Sequence, residues 1–154
     1  MSKVLAAWIL PICVIVSIPQ AVAAVIEHPG VWLMGAKVAV QLFDCGDRLC
    51  GRVIWLKESI DSQGLLKRDK LNPDPTLRDR SVCGPTIIWN LHPADANHWE
   101  DGWFYNPDDG GTYRLKLEFQ SADVVAARIF LGIPLFGETR TLTRIPVDTS
   151  AGWC

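Results

Sequence analysis

The sequence predicts an all-β protein: a single small antiparallel up-and-down β-barrel of about eight strands with one long irregular loop. Two observations predict this fold class. From Gly30 to Ile145, short stretches of alternating apolar and polar residues are separated by the turn residues Gly, Pro, Asn and Asp. The same region contains no internal repeat, no low-complexity tract and no long amphipathic helix. Strands this short favour a barrel over a sandwich, because closure removes exposed edges without long crossovers.

The clearest strand runs from Thr112 to Gln120, where every second residue is apolar. This alternation indicates one buried face and one solvated face. The inward side chains should be those of Tyr113, Leu115, Leu117 and Phe119. The preceding residues, Asn106 to Gly111, are suited to a reversing turn, so Trp99–Tyr105 should pair with this strand as a hairpin.

The remaining predicted strands are Val31–Met34, Lys37–Phe43, Gly51–Lys57, Thr86–Leu91, Val124–Leu131 and Glu138–Ile145. Between the third and fourth strands, residues 58–82 are rich in Asp, Asn, Pro and Arg and predict a long irregular connection. Loops of this length in compact domains usually carry function or cover an opening.

The N-terminus has the order of a secretory signal peptide. Lys3 precedes an apolar run from Val4 to Ile18, and the small residues Ala21-Val22-Ala23 form a cleavage site. The sequence therefore predicts a signal peptide at 1–23, a mature barrel domain at 24–154 and a periplasmic or secreted protein. An uncleaved membrane anchor is the alternative, because about 20 apolar residues suffice to span a bilayer.

The four cysteines beyond the leader are expected to form disulfides in an oxidising compartment. Cys45 and Cys50 bracket a turn-like segment, so a bond between them would join the two ends of a hairpin. Cys83 and Cys154 could then pair by default, although four cysteines allow three connectivities. A zinc site of four thiolates lacks the paired short spacings that such sites use.

An ordered set of motifs extends over nearly the whole mature chain. It comprises Gly30-Val31-Trp32, Cys45 with Leu49–Leu56, Asp69 with Asn72-Pro73, Tyr105–Gly110 with Thr112-Tyr113, Gly132–Gly137, and Thr143-Arg144. In this succession the chain resembles the bacterial domain-of-unknown-function family DUF2147. The resemblance implies a small exported β-barrel related to lipocalins and fatty-acid-binding proteins, and it implies no known activity. Leu142 departs from the family pattern, in which a Trp is usual, and the tail from Val147 to Cys154 lies beyond the motif.

The lipocalin-like class gives Trp32 and Arg144 a structural role. In such barrels, an early Gly-x-Trp and an Arg on the last strand meet at the closed end. A stack of the Arg144 guanidinium on the Trp32 indole would contribute about 0.5–2 kcal/mol and plug the floor of the barrel.

Six of the seven tryptophans lie beyond the leader, which is a heavy aromatic load. These rings could line a ligand pocket, or they could simply fill a narrow barrel. Arg128, placed on the face of Val124, Ala126 and Phe130, could bind a ligand carboxylate, as could Arg140; a surface position or an internal ion pair is the alternative for both. The candidate ligand-binding residues are Trp55, Tyr113, Leu115, Leu117, Phe119, Arg128, Phe130 and Arg140.

The long loop carries a polar group made of Asp69, Asn72, Arg78 and Arg80. These residues could contact a protein partner, or they could act in catalysis. The third alternative is structural, because polar loops use the same residue types for caps, turns and ion pairs. The three histidines have no metal-binding or triad spacing, and no glycine-rich phosphate loop is present. We therefore expect no metal, no cofactor and no catalytic residues. A formal net charge of −2 also disfavours nucleic-acid binding.

Three functional hypotheses follow. The first is a monomeric envelope protein that binds a small apolar or amphipathic molecule inside the barrel. The second is a non-catalytic interaction module with a filled barrel and an exposed contact loop. The third is an enzyme, which would require convergent polar groups around a cleft.

Overall fold

The computed structural model describes residues 28–146 and Cys154. Eight β-strands account for most of this region, together with two short 3₁₀ turns at Pro75–Leu77 and Pro134–Phe136. The strands are β1 Gly30–Met34, β2 Val38–Asp44, β3 Leu49–Leu56, β4 Thr86–Pro93, β5 His98–Asn106, β6 Gly111–Ser121, β7 Val124–Phe130 and β8 Glu138–Ile145. Each predicted strand is present, with ends that differ by at most two residues.

The strands form a closed antiparallel barrel in which each pairs with its neighbours in sequence. Closure occurs between β1 and β8, where Trp32 lies opposite Arg144 and Met34 opposite Leu142. The predicted all-β, eight-stranded, up-and-down barrel is therefore confirmed. Because the chain runs up and down, the connections after β1, β3, β5 and β7 lie at one end of the barrel, and those after β2, β4 and β6 lie at the other.

Buried residues of all eight strands form one apolar cluster. On β6 the inward set is the one that the alternation predicts: Leu115, Leu117 and Phe119 are 2% exposed or less, and Tyr113 packs against them. Around them lie Trp32, Val40, Leu42, Leu49, Val53, Ile87, Ile88, Leu91, Trp99, Tyr105, Val125, Ala127, Ile129 and Leu142. A small apolar void of about 20 Å³ lies within this cluster.

The long connection between β3 and β4 has internal order. Its second half is a narrow hairpin, in which Asp69 N donates to Arg80 O at 3.1 Å and Val82 N donates to Lys67 O at 3.0 Å. Asp74 caps the 3₁₀ turn by accepting a hydrogen bond from Thr76 N at 2.9 Å. Backbone hydrogen bonds thus hold the loop in one shape over the end of the barrel.

Two disulfides tie connections to the barrel. Cys45 and Cys50 join across the β2–β3 hairpin, and Cys83 joins Cys154. Cys154 N also donates to Ile54 O on β3 at 3.0 Å, so the C-terminal residue is bound to the barrel wall beside the long loop. The predicted leader at 1–23 lies outside the described residues. Within those residues, no helix is long and apolar enough to cross a membrane.

Candidate functional site

One end of the barrel is sealed by the side chains of Trp32 and Arg144. The guanidinium carbon of Arg144 lies 4.3 Å from the centroid of the Trp32 ring, and the indole is fully buried. Arg144 Nε donates to Ala122 O at 2.7 Å, and its Nη1 donates to Pro29 O at 3.0 Å. Gly30 has a φ of 150°, and a Cβ at this position would collide with Arg144 Nη1. The Gly-x-Trp motif therefore leaves room for the guanidinium that seals the closed end.

The opposite end opens into a cavity of about 1070 Å³. Four connections surround it: the β1–β2 turn, the β3–β4 loop, the β5–β6 turn and the β7–β8 loop. The cavity belongs to the upper half of the barrel, because Leu115 and Leu117 fill the layer beneath it and do not line it.

The cavity has apolar walls, although polar residues make up a similar share of its lining. The apolar walls are formed by Met34, Val38, Val53, Leu56, Val82, Ile87, Phe104, Ile129, Phe130, Leu131 and Phe136. Such walls exclude tightly held water and favour contact with hydrocarbon or aromatic groups. The space is thus suited to the apolar part of a ligand.

The polar groups of the cavity are concentrated at its rim, where one ion pair joins the β3–β4 loop to the β5–β6 turn and a second lies within β8. Lys67 Nζ lies 2.9 Å from Asp108 Oδ1, and Arg140 Nη2 lies 2.7 Å from Glu138 Oε1. Lys37, Lys57 and Glu58 also line the opening. A molecule with an apolar body could therefore be buried while its polar end stays at the rim.

Gly110 lets the long loop pack closely against the β5–β6 turn. Its φ is 73°, and a Cβ here would overlap Leu71 O. The turn also orders Asp109, which accepts hydrogen bonds from Gly111 N at 2.7 Å and from the Tyr113 hydroxyl at 2.8 Å. Burial opposes ionisation of Asp109, but these hydrogen bonds outweigh it and lower the pKa of the carboxyl. The same hydrogen bond to Asp109 raises the pKa of Tyr113, which stays a neutral donor at the rim.

Some of the predicted ligand residues lie at the cavity and others do not. Tyr113, Phe130 and Arg140 line it, whereas Leu115 and Leu117 lie in the packed layer below. Phe119 is farther still, at the closed end, with its ring centroid 5.5 Å from that of Trp32. The predicted β6 face thus extends through the whole barrel, and only its first residue reaches the cavity.

The hypothesis that Arg128 points into the barrel and binds a ligand is wrong. The inward residues of this strand are Val125, Ala127 and Ile129. Arg128 faces outward, and its guanidinium donates to Pro134 O at 2.6 Å and to Thr139 Oγ1 at 3.0 Å. The face of Arg128 also carries Val124, Ala126 and Phe130, and these apolar neighbours suggest a buried face. The opposite face has no charged residue, so alternation favours it as the inward one. The surface alternative holds for Arg128, and Arg140 forms its ion pair at the rim.

Trp55 was also predicted to face the cavity, and a break in register explains why it does not. Val40 pairs with Val53, but the next pair is Ala39 with Trp55, so β3 contains an extra residue at Ile54. After this bulge, Val53 and Leu56 line the cavity, whereas Trp55 does not. A bulge has no strong signature in a run such as Val53-Ile54-Trp55-Leu56.

The polar group of the long loop forms a buried network that attaches the loop to β5. Asp69 is 1% exposed; its Oδ1 accepts from the Tyr105 hydroxyl at 2.5 Å, and its Oδ2 accepts from Asn72 Nδ2 at 2.7 Å and Arg80 Nη2 at 2.9 Å. Arg78 Nε donates to Asn72 O at 2.8 Å. Asp69 and Asn72 are therefore too buried to contact a protein partner, which corrects the predicted contact set. Arg78 and Arg80 are tied into the same network.

The network changes the acidity of Tyr105. Burial and the hydrogen bond to Asp69 raise the pKa of this phenol to about 12, compared with 10.0 for an unperturbed tyrosine. Because the folded state keeps the proton that the unfolded state loses, the stabilisation is fully present below pH 10.0 and is lost as the pH rises towards 12.

We therefore predict alkaline loss of stability between pH 10.0 and about 12, of order 2 kcal/mol, for the wild-type chain. Urea unfolding at a series of pH values measures the loss of stability. The chain has two tyrosines, so an absorbance titration of the phenols in wild type and variant shows which of them titrates late. Tyr105→Phe should remove the later phenol transition and flatten the loss of stability. Loss of the earlier of the two phenol transitions in this variant, with the later one retained, would contradict the assignment.

The cavity residues that the sequence reasoning missed are mostly aliphatic. Met34, Val38, Leu56, Phe104 and Ile129 all lie within predicted strands, but their facing was not assigned. Reading alternation outward from the turns at the open end could have found Phe104 and Ile129. In the part of the chain that the structure describes, no group of three or more His, Cys, Asp or Glu side chains is arranged to hold a metal ion.

Comparisons with known proteins agree with this architecture. A solved structure, protein HP1028 from the human pathogen Helicobacter pylori, is described as belonging to the lipocalin family. It is similar with a TM-score of 0.69 and 25% sequence identity over 80% of this chain and 86% of that chain. No curated protein matches the sequence. The family described as "Uncharacterized protein conserved in bacteria (DUF2147)" matches residues 30–144, which include all eight strands almost entirely. The chain therefore belongs to the bacterial DUF2147 family and has a lipocalin-like barrel fold.

Proposed function

We propose that this protein is an exported carrier that binds a small apolar or amphipathic molecule in the bacterial envelope. The observation that carries the proposal is the cavity of about 1070 Å³, with apolar walls and charged residues only at its rim. Ligand sites usually have volumes of several hundred cubic ångströms and a largely hydrophobic lining. This cavity is large enough, and its apolar walls and charged rim suit an amphipathic molecule. A filled interaction module would have an interior below about 100 Å³.

Export and monomeric behaviour are part of the proposal. The leader-like residues 1–23 and the disulfides Cys45–Cys50 and Cys83–Cys154 support a periplasmic or secreted protein, because such bonds persist in oxidising compartments. The barrel of the mature chain, from residue 24 to 154, closes on itself, so strand pairing does not need a second copy.

Catalysis has less support than binding. The polar residues named for an enzyme, Asp69 and Arg78, do not line the cavity, and the Asp69 carboxylate is occupied by donors of the protein itself. An interaction module is likewise less well supported, because two of its four contact residues are buried.

Native mass spectrometry of protein purified from its own cells tests the proposal, with solvent extraction of the same sample. We expect a bound organic molecule that is released on unfolding. Val38→Trp, which fills the cavity from its wall, should reduce the retained amount strongly. Val124→Trp is the matched control, because Val124 is half-buried and does not line the cavity. Wild-type protein that retains no molecule, and binds none from a lipid extract, would refute the proposal.

A further inference from the structure

The large apolar side chains that are most exposed all lie at the open end of the barrel. Among the described residues they are Ile60, Leu65, Leu66 and Leu71 in the β3–β4 loop, and Leu131, Ile133, Leu135 and Phe136 in the β7–β8 loop, with 52–78% of each exposed. Scattered single apolar residues are normal on a surface. A set confined to two loops around one opening indicates an interaction surface, which we name the mouth surface.

The β7–β8 loop holds its apolar side chains outward. Arg128 donates to Pro134 O and, at 3.2 Å, to Leu135 O, and Phe136 N donates to Ile133 O at 3.2 Å. These bonds fix the backbone of the loop, so exposure of Leu135 at 75% is part of the folded structure. Because the loop is already ordered in the folded protein, binding through these side chains does not have to lose the conformational entropy of the loop.

The mouth surface is continuous with the cavity. Leu131 and Phe136 are 64% and 78% exposed and also line the cavity. Apolar side chains thus extend from the loop tips into the cavity, beside the Glu138–Arg140 ion pair. These side chains would let a water-insoluble molecule pass between the cavity and an apolar phase in contact with the loops.

The charges of the barrel favour contact at this end. Many of those at the mouth are neutralised in pairs, namely Lys67–Asp108, Lys70–Asp61, Arg80–Asp69 and Arg140–Glu138. The opposite end also has ion pairs, namely Asp47–Arg48, Asp95–His98 and Asp123–Arg144, but its four carboxylates, Asp44 included, exceed its two guanidinium groups. An anionic lipid surface would repel the closed end more than the mouth, and would so orient the apolar loops towards the lipid.

We propose that the mouth surface docks on a phospholipid bilayer, with the β3–β4 and β7–β8 loops inserted at the level of the headgroups and the cavity opening towards the acyl chains. The docking stands on the exposed apolar residues and on the charge distribution. The exchange of a ligand with the bilayer rests, in addition, on the proposed function. Shallow insertion of a few Leu, Ile and Phe side chains gives reversible binding, as for other interfacial segments.

Vesicle flotation of the exported protein tests the docking, with vesicles of phosphatidylethanolamine and phosphatidylglycerol and with vesicles of phosphatidylcholine. Wild-type protein should float with both kinds of vesicle. Its binding should depend only weakly on salt, because apolar contact supplies the affinity. Ile133→Ser/Leu135→Ser should reduce the partition coefficient by about tenfold or more. Leu65→Ser/Leu66→Ser should act in the same direction.

The control is Ala94→Ser/Ala96→Ser, which changes two exposed apolar residues at the closed end. This control should float like the wild type. All variants have the same N-terminus, and their melting temperatures show whether they are folded. Wild-type protein that stays in the aqueous phase, or a control that loses binding equally, would overturn the docking. Self-association through the mouth without vesicle binding would assign the surface to a second copy instead. None of the substituted residues lines the cavity, so ligand retention measured by native mass spectrometry reports on the proposed function separately.

Discussion

Replacing Trp32 by alanine should lower the free energy of unfolding by about 3–5 kcal/mol, the range for removing a large buried aromatic side chain. The indole is fully buried, it makes an edge-to-face contact with Phe119, and it carries the Arg144 guanidinium. The substitution removes all of these contacts at once. It also opens the closed end of the barrel, so water can reach the layer that contains Leu117 and Phe119.

Urea unfolding followed by far-ultraviolet circular dichroism measures this loss. Trp103→Ala is the matched control, because Trp103 also supports a guanidinium, that of Arg114 at 4.6 Å, but is only half-buried on the barrel wall. We expect about 1 kcal/mol for the control, mainly from the lost cation–π contact. Equal effects of the two substitutions would mean that Trp32 acts as an ordinary surface stack and not as the plug.

One end of the barrel is closed and the other is open, and the candidate site lies at the open end. At the closed end, Gly30, Trp32 and Arg144 are brought together by the pairing of β1 with β8. At the open end, the same two strands diverge into the β1–β2 turn and the β7–β8 loop, which carry no such plug. A lipocalin-like barrel of eight strands has room for side chains or for one small ligand. In this barrel, side chains fill the half next to the plug, and the half next to the open end contains the cavity.

The fold was predictable because its signals are local and repeated. Alternation in Thr112–Gln120 and the turn residues of Asn106–Gly111 specify a hairpin without knowledge of the rest of the chain. Closure follows, since a set of short antiparallel strands would otherwise leave two edges unpaired. The arrangement usual in lipocalin-like barrels added the contact of Trp32 with Arg144, which joins residues of the first and last strands.

The cavity was less predictable, because its composition depends on register and depth. The bulge at Ile54 moves Trp55 away from the cavity. On β7, the apolar neighbours Val124, Ala126 and Phe130 conceal that the face of Arg128 is the outward one. Depth along a strand is also invisible to alternation: Tyr113 and Phe119 share one face, yet one lines the cavity and the other lies under the plug. The role of Asp69 required knowledge that the long loop lies beside Tyr105.

Asp69→Asn should lower the free energy of unfolding by about 3 kcal/mol and loosen the long loop. The carboxylate accepts from Tyr105, Asn72 and Arg80 at an almost fully buried position. The substitution removes the charge that compensates Arg80 and turns an amide donor towards other donors, a change that typically costs 3–5 kcal/mol in fully buried pairs. Because Arg80 is 31% exposed, water can solvate part of its charge, and we expect the lower end of that range.

The loosening should be local before it is global, since the barrel strands keep their own hydrogen bonds. Limited trypsin digestion is the sensitive measurement: cleavage after Lys67, Arg68 or Lys70 should become much faster in Asp69→Asn, because the hairpin that holds these residues loses its anchor on β5. Asp79→Asn is the control, as it removes an exposed carboxylate from the same loop. Since Lys67 and Val82 line the cavity, ligand retention should fall together with protection of the loop. If digestion rates and stability are the same in both variants, the network does not hold the loop in place. The Lys67–Asp108 ion pair, the packing of Leu71 on Gly110 and the Cys83–Cys154 bond would then hold it.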